Sequence, residues 1–216
     1  MSTPNRAIRI IIRPEYSAVA AKTENRPSRA VKAVIKDFAQ AHATRVCEIG
    51  CGLLANTPHL LRAFPYLVVT DRRGQYDRIA TKLNELSRRY PSFKTFLDDQ
   101  EFDKRKMRLH GAIVINVIHI LDNEDLRVQV LKSAHKNLVK DGRVFIDIPR
   151  NEYYYKKLVR TARFYSDGQI MPRGDFYTFY KNMDFQEVLG YAEEAGFKLE
   201  RRIYIDHRIT FVCRKT

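Results

Sequence analysis

Two hydrophobic periods alternate along this chain, and their order constrains the fold more than any other feature. Apolar runs of strand length occur at residues 46–49, 66–70, 93–97, 112–117, 143–148, 199–205 and 208–213. Interleaved with the first five are segments 30–41, 57–63, 76–90 and 125–139, whose apolar residues recur three and four positions apart, and a further such segment at 185–194 precedes the last two. A period of two suits a pleated strand and a period of 3.6 an amphipathic helix. Strands alternating with helices build βαβ units, so the chain is predicted to be α/β, with a mostly parallel seven-stranded sheet carrying helices on both faces. Only Asp206 and His207 separate the last two runs, too few residues for a crossover, so a C-terminal antiparallel hairpin is expected at one side of the sheet.

Local punctuation agrees. Pro27 and Ser28 precede the first helix, while Asp141-Gly142 and Ala195-Gly196 are read as turns from helix into strand. A length of 216 residues with 44% hydrophobic content suits one domain over 1–216 and excludes collagen-like, low-complexity and wholly disordered classes. Two stretches stand outside the rhythm. Residues 1–28 are expected to form a basic arm or, by the family resemblance given below, an N-terminal lid, and 150–182 is too long for an ordinary connection and is read as an insertion shaping an acceptor site.

The chemistry-bearing segment is Val46-Cys47-Glu48-Ile49-Gly50-Cys51-Gly52-Leu53-Leu54-Ala55, a strand entering a tight glycine turn and then a helix. Gly50 and Gly52 allow a sharp turn and close approach to a ligand, and the helix N-terminus offers unpaired N–H groups. About twenty residues further on, ending the next strand, Asp71 stands where a carboxylate can accept two ribose hydroxyls. The pattern Gly50-x-Gly52-x-x-Ala55 also satisfies a dinucleotide fingerprint, so two cofactor classes arise. Glu48 separates them. At about 6 Å and an effective dielectric of about 20, a doubly charged pyrophosphate would be repelled by roughly 5 kcal/mol. S-adenosylmethionine (SAM) has no phosphate and carries a sulfonium and an ammonium, which a carboxylate attracts.

Here the chain resembles the class I, Rossmann-like SAM-dependent methyltransferases, whose first motif is an acidic residue followed by G-x-G after the first strand; the resemblance runs from about Ala30 to the C-terminus. It implies that SAM is the cofactor, with Glu48, Gly50 and Gly52 contacting its methionine part, Asp71 its ribose, and Asp98 or Asp99 lying near the adenine amino group. Asn116-Val117-Ile118-His119 is similar to the family's fourth-strand end beneath the cofactor, and residues 138–143 to its leucine-lysine-proline-glycine-glycine turn. Leu54 replaces the third glycine often found in the motif, and Gly111 stands where an Asp commonly opens the fourth strand.

Methyl transfer needs a bound donor, an aligned acceptor and exclusion of water, so the family has no universal catalytic residue and the sequence names none. His119 is open to two readings, a general base or a packing residue. The fourth strand lacks the tetrapeptide of amino-methylating nucleic-acid enzymes and the Pro-Cys of cytosine carbon-5 chemistry. Scattered histidines give no metal site, and Cys47, Cys51 and Cys213 fit reduced thiols in a cytoplasmic protein. The first residues, broken by Arg9 and Arg13, are far short of the roughly 20 apolar residues of a membrane span, so no membrane is expected.

A formal charge of +14 directs attention to nucleic acid as partner. Segment 150–182 interleaves tyrosines and phenylalanines with cations, and Arg150, Tyr154 and Lys157 are the expected substrate contacts, rings stacking on a planar acceptor and cations meeting phosphates. The sequence thus predicts a methyltransferase acting on a nucleic acid or a nucleotide-bearing acceptor. A small-molecule methyltransferase, or a non-catalytic module that binds nucleic acid or a partner, remains the alternative. Protein partners and oligomeric state are not legible.

Overall fold

A computed structural model describes residues 11–13, 27–150, 162–173 and 175–216. Its strands in chain order are β1 (Arg45–Ile49), β2 (Tyr66–Asp71), β3 (Phe93–Asp98), β4 (Leu109–Ile115), β5 (Leu138–Pro149), β6 (Arg163–Tyr165), β7 (Gly168–Arg173), β8 (Phe176–Tyr180), β9 (Phe197–Ile203) and β10 (Arg208–Lys215). The helices are α1 (Arg29–Gln40), α2 (Thr57–Ala63), α3 (Arg73–Arg89), α4 (Asp99–Lys104), α5 (Glu124–Asn137) and α6 (Phe185–Glu194). No described helix is long and apolar enough to cross a membrane.

Seven strands form one sheet in the order β3-β2-β1-β4-β5-β10-β9. The first five are parallel; β10 pairs antiparallel with both β5 and β9, as the short Asp206-His207 connection requires. Strand order reverses between β1 and β4, and in open α/β sheets that reversal leaves a crevice at the carboxyl ends of the two strands.

Period-two alternation divides the core into two layers. Val46, Leu67, Val69, Ile113 and Phe145 face α1, α2 and α3. Cys47, Ile49, Val68, Val114 and Ile146 face α4, α5 and α6. The ring of Phe38 on α1 lies over Gly111, where a Cβ would come within 2.3 Å of it, so the position that commonly carries an acid has no room for one here.

The predicted elements are present with shifted ends. Helix α5 stops at Asn137 and β5 begins at once, so Asp141, at φ 60°, is a kink within β5 and not a turn preceding it. Leu138 pairs with Leu109 before a register shift at Gly111. Helix α4 and a 3-10 turn at Ile118–Ile120 were not foreseen, being too short for periodicity to reveal.

The stretch after β5 holds a second, three-stranded antiparallel sheet, β6-β7-β8. Ile12 adds to it in parallel beside Tyr177, with Arg13 N–H donating to the Tyr177 carbonyl at 2.8 Å and Tyr177 N–H to Ile11 at 2.8 Å. Thus the two stretches that broke the sequence rhythm meet. Arg127 of α5, fully buried, holds the small sheet to the core. It donates to both oxygens of Asp167 in the β6–β7 turn, at 2.5 and 2.9 Å, and to the Leu121 carbonyl at 3.0 and 2.8 Å. Lys181 reaches the same carboxylate at 2.6 Å and also pairs with Glu187. The hydrogen bond from Arg127 holds Asp167 well below the usual carboxylate range.

Candidate cofactor site

At the switch point the backbone leaves β1 through Gly50 (φ 71°) and Gly52 (φ 53°), a left-handed path that costs an L-residue but not glycine. A Cβ on Gly50 would fall 2.3 Å from Val117 Cγ2, so the residue after β4 packs directly on the turn. A Cβ on Gly52 would meet nothing within 4 Å and would project into open space. Neighbouring elements fix the loop. Thr70 carbonyl accepts from Gly50 and Cys51 at 2.8 and 3.2 Å, buried Gln75 donates to the Gly52 carbonyl at 2.6 Å, and Lys82 donates to that of Leu53 at 2.9 Å. Leu54, where a third glycine was missing, is buried and itself left-handed at φ 61°.

Asp71 Oδ2 accepts the Gly52 N–H at 2.8 Å and its Oδ1 the Arg72 N–H at 2.8 Å. Burial raises its pKa, while the two backbone donors oppose the rise. The turn and Asp71 open onto a cavity of about 420 Å³, within the range of small-ligand sites. Asp99, Gln100, Phe102 and Asp103 of α4 line it, together with Asn116 and Val117 after β4 and Leu126, Gln129 and Val130 of α5. Its charged lining is Asp71, Asp99 and Asp103 against Arg72 and Lys104. A chain with a formal charge of +14 thus presents a slightly acidic cavity.

The seven residues expected at the cofactor divide as follows. Gly50, Gly52, Asp71, Asp99 and Asn116 line the cavity. Asp98 instead caps α4, accepting the Glu101 N–H at 2.8 Å, so of the adjacent acids it is Asp99 that faces the site. Glu48 departs from expectation in its surroundings. It is 3% exposed, lies outside the lining, and accepts the Thr57 hydroxyl at 2.6 Å behind the turn. The cause is strand alternation: with Val46, Glu48 points toward the α1–α3 layer. Burial pushes its pKa up to about 7 against hydrogen bonds from Thr57 and Asn56. The negative charge in the cavity wall therefore belongs to the aspartates.

Of the expected substrate contacts, Arg150 is exposed just past β5, with its N–H donated to the His207 carbonyl at 2.7 Å, and does not line the cavity. Tyr154 and Lys157 lie outside the described residues. His119 is fully buried in the 3-10 turn, edge-on to Tyr180 at 5.6 Å between centroids, and burial, aided by Arg208, pushes its pKa down to about 3. Its carbonyl accepts the Lys181 N–H at 2.8 Å, so it joins the small sheet to the wall formed by Ile120 and Leu121. That is a packing role.

Sequence reasoning missed the support of Asn116. Asn116 adopts φ 60°, and its side-chain oxygen accepts from Arg208 at 2.5 Å. Arg208 also donates to both oxygens of fully buried Asp147, at 2.8 and 2.7 Å, and Thr210 donates to Asp147 at 2.6 Å. One signal was present: an aspartate inside the apolar run Val144-Phe145-Ile146-Asp147-Ile148 must find a partner.

No family model and no curated protein sequence matches the chain. Solved structures do. A SAM-dependent methyltransferase from Clostridium acetobutylicum superposes with a TM-score of 0.64 at 13% identity, over 86% of this chain and 90% of that one. Magnesium protoporphyrin IX methyltransferase from Synechocystis, with S-adenosylhomocysteine (SAH) bound, gives 0.61 at 12%, over 87% and 83%. The 1,6-didemethyltoxoflavin-N1-methyltransferase of Burkholderia thailandensis gives 0.60 at 15%, over 87% and 79%. The fold of this chain is that of the class I SAM-dependent methyltransferases.

Proposed function

We propose that this chain is a SAM-dependent methyltransferase acting on a nucleic acid or a nucleotide-bearing acceptor. The observation that carries the first half is the left-handed glycine turn, bonded through Gly52 to Asp71, at the mouth of an acidic cavity at the sheet's switch point. The lining fits a cationic nucleoside better than a dinucleotide, because its three carboxylates would repel a pyrophosphate and only Arg72 and Lys104 would offset them. Gly50, Gly52 and Asp71 are the residues that would hold the donor, with Asp99, after β3, and Asn116, after β4, lining the cavity on either side of them. When bound, SAM supplies an electrophilic methyl group on a sulfonium.

The chain's own part is positional. The αL turn, its Gly50, Cys51 and Gly52 N–H groups bonded to Thr70 and Asp71, is a fixed backbone surface open to the site at Gly52, and Phe102, Val117, Leu121 and Val130 form an apolar wall that excludes water. Among the described residues no histidine lines the cavity, and proton removal from the acceptor is assigned to no side chain here. The assignment is tested by titration calorimetry with SAH: micromolar binding supports it, and absence of binding alongside tight RNA binding makes the chain a non-catalytic module.

The acceptor reading rests on charge and on the 150–182 segment. Arg150 and exposed Phe164 and Arg163 follow the carboxyl edge of β5, and Arg13 lies 5.7 Å from the centre of the Phe176 ring. With Tyr154 and Lys157 they are the proposed acceptor contacts. A second reading, a small-molecule acceptor, is favoured by the similar structures that act on a porphyrin and on a toxoflavin precursor. Tritium transfer from labelled SAM into RNA, DNA and small-metabolite pools decides between them.

A further inference from the structure

We propose that the amino-terminal edge of the parallel sheet, opposite the cavity, carries a second surface that holds the phosphate backbone of a nucleic acid through Arg62, Arg88, Arg89 and Lys94. The topology gathers these residues. Arg62 ends α2 and Arg88 and Arg89 end α3, while Lys94 stands at the start of β3. Two tyrosines serve as platforms. Arg62 and Arg89 lie 6.0 and 5.4 Å from the centre of the Tyr90 ring, and Arg45 and Lys94 lie 4.0 and 5.8 Å from that of Tyr66. Ser92 ties the two halves into one patch, donating its hydroxyl to the Leu61 carbonyl at 2.8 Å and accepting the Leu67 N–H at 2.8 Å.

What distinguishes this edge is that cations without a carboxylate partner gather around two tyrosine rings. Arg29, Arg127, Lys132, Arg143, Lys181, Arg201, Arg208 and Arg214 all pair with carboxylates, but among the described residues none of the patch cations does. Glu85, one helical turn before Arg88 and Arg89, forms no ion pair with either. A guanidinium lying over a ring keeps its in-plane N–H donors available, and three arginines with one lysine suit phosphate oxygens. Complementing the helix dipoles would account for cations at the ends of α2 and α3, but not for Lys94 on a strand.

The favoured polyanion is a nucleic acid. A membrane surface calls for apolar side chains beside the cations, and the most exposed ones, Ile11, Tyr76, Leu126, Phe164 and Tyr204, lie elsewhere. Tyr76, on the same helix, is twelve residues before Arg88, or about 18 Å along the axis. Strand β2 runs from the patch at Tyr66 to the cavity at Asp71, about 16 Å at 3.3 Å per residue. A ligand engaging both ends must be at least that long and polyanionic along its length, as a polynucleotide is. The use of the surface rests on the nucleic-acid reading of the acceptor; its binding of phosphates is measurable without cofactor.

The test is fluorescence anisotropy with a labelled single-stranded RNA and its duplex, over a salt series, on the whole chain. Substituting Arg62, Arg88, Arg89 and Lys94 together by glutamine is expected to weaken binding at least about tenfold and to lower the slope of log K against log salt by roughly three. A control removes equal charge from exposed, carboxylate-free Lys32, Lys36, Lys140 and Lys198 and is expected to change affinity less than about twofold. Equal losses in both variants, or none in the patch variant, overturn the surface while leaving the nucleic-acid reading intact. If the unaltered chain binds neither RNA nor DNA at low salt, that reading falls and takes the surface with it. Binding to phosphatidylserine vesicles that depends on the same four residues, with RNA binding unaffected by them, also overturns the proposal. If the fourfold variant fails to fold, Arg88→Glu serves instead, since among the described residues Arg88 makes no ion pair or ring contact; it is expected to weaken RNA binding several-fold with an unchanged melting temperature, and unchanged binding overturns the proposal.

Discussion

Asp71 accepts the Gly52 N–H at 2.8 Å, so the last residue of β2 closes the turn that follows β1. Position 71 therefore shapes the loop as well as facing the cavity. Asp71→Asn keeps an acceptor for one of the two backbone N–H groups, sets an NH2 against the other and loses the charge; it is expected to weaken SAH binding by about tenfold and to cost about 1 kcal/mol of stability. Asp71→Ala also leaves the Gly52 and Arg72 N–H groups without their acceptor and is expected to cost roughly 1–3 kcal/mol of stability. Calorimetry and thermal melting separate the effects; equal SAH affinity in all three proteins would remove Asp71 from the site.

The two glycines of the turn should respond differently. Alanine at Gly50 meets Val117 at 2.3 Å and sits at φ 71°, so Gly50→Ala is expected to cost on the order of 2–4 kcal/mol. Gly52→Ala carries only the backbone cost, about 1–2 kcal/mol, because open space receives its methyl group. That space is where a ligand would lie, so Gly52→Ala should lose SAH binding while staying folded at 25 °C.

Glu48 links stability to pH. In the folded chain it keeps its proton up to about pH 7, against an ordinary value of 4.5. Between these values the folded state binds more protons than the unfolded state, so stability falls as pH rises through the window and is level above it. A shift of this size corresponds to about 3 kcal/mol. Glu48→Gln cannot ionise and keeps an oxygen for Thr57, so it should melt higher than the natural protein at about pH 8 and equally near pH 4. A cationic donor favours the charged form of Glu48, so the same substitution should lower SAM affinity. Affinity and melting temperature moving up together would contradict this electrostatic link.

Removing the guanidinium of Arg127 leaves Asp167 to Lys181 alone and opens the Leu121 carbonyl. Asp167 is 34% exposed and keeps Lys181, so Arg127→Met is expected to cost about 1–3 kcal/mol, the range for lost charge-assisted hydrogen bonds. Hydrogen exchange should quicken in β6–β8 more than in β1–β5. Uniform quickening would mean that the small sheet is not separately anchored.

His119 is held neutral, its pKa pushed down to about 3. A pH–rate profile should accordingly show no inflection from it between about pH 5 and 9, and His119→Asn should leave the shape of the profile unchanged. A lost inflection would make His119 the proton acceptor.

Much of this was written locally. Alternation of periods two and 3.6 is a property of neighbouring residues, so strands such as β2 and helices such as α3 were predicted with ends shifted by a few residues. The glycine turn and Asp71 were equally legible, because φ requirements and strand ends leave local marks. The three-stranded sheet escaped, since its strands alternate little and find their burial against α5 and the 3-10 turn.

Sequence by itself determined the α/β sheet, the turn at Gly50 and Gly52, and the excess of positive charge. Tertiary structure decided which side chains share a space: that Asp99 and not Asp98 faces the cavity, that Glu48 lies behind the turn with Thr57, and that Arg208 and Asp147 support Asn116. Backbone preference and hydrophobic period act over a few residues. The partner of a buried charge is chosen by desolvation among groups tens of residues apart, and that choice exists only once the chain has folded.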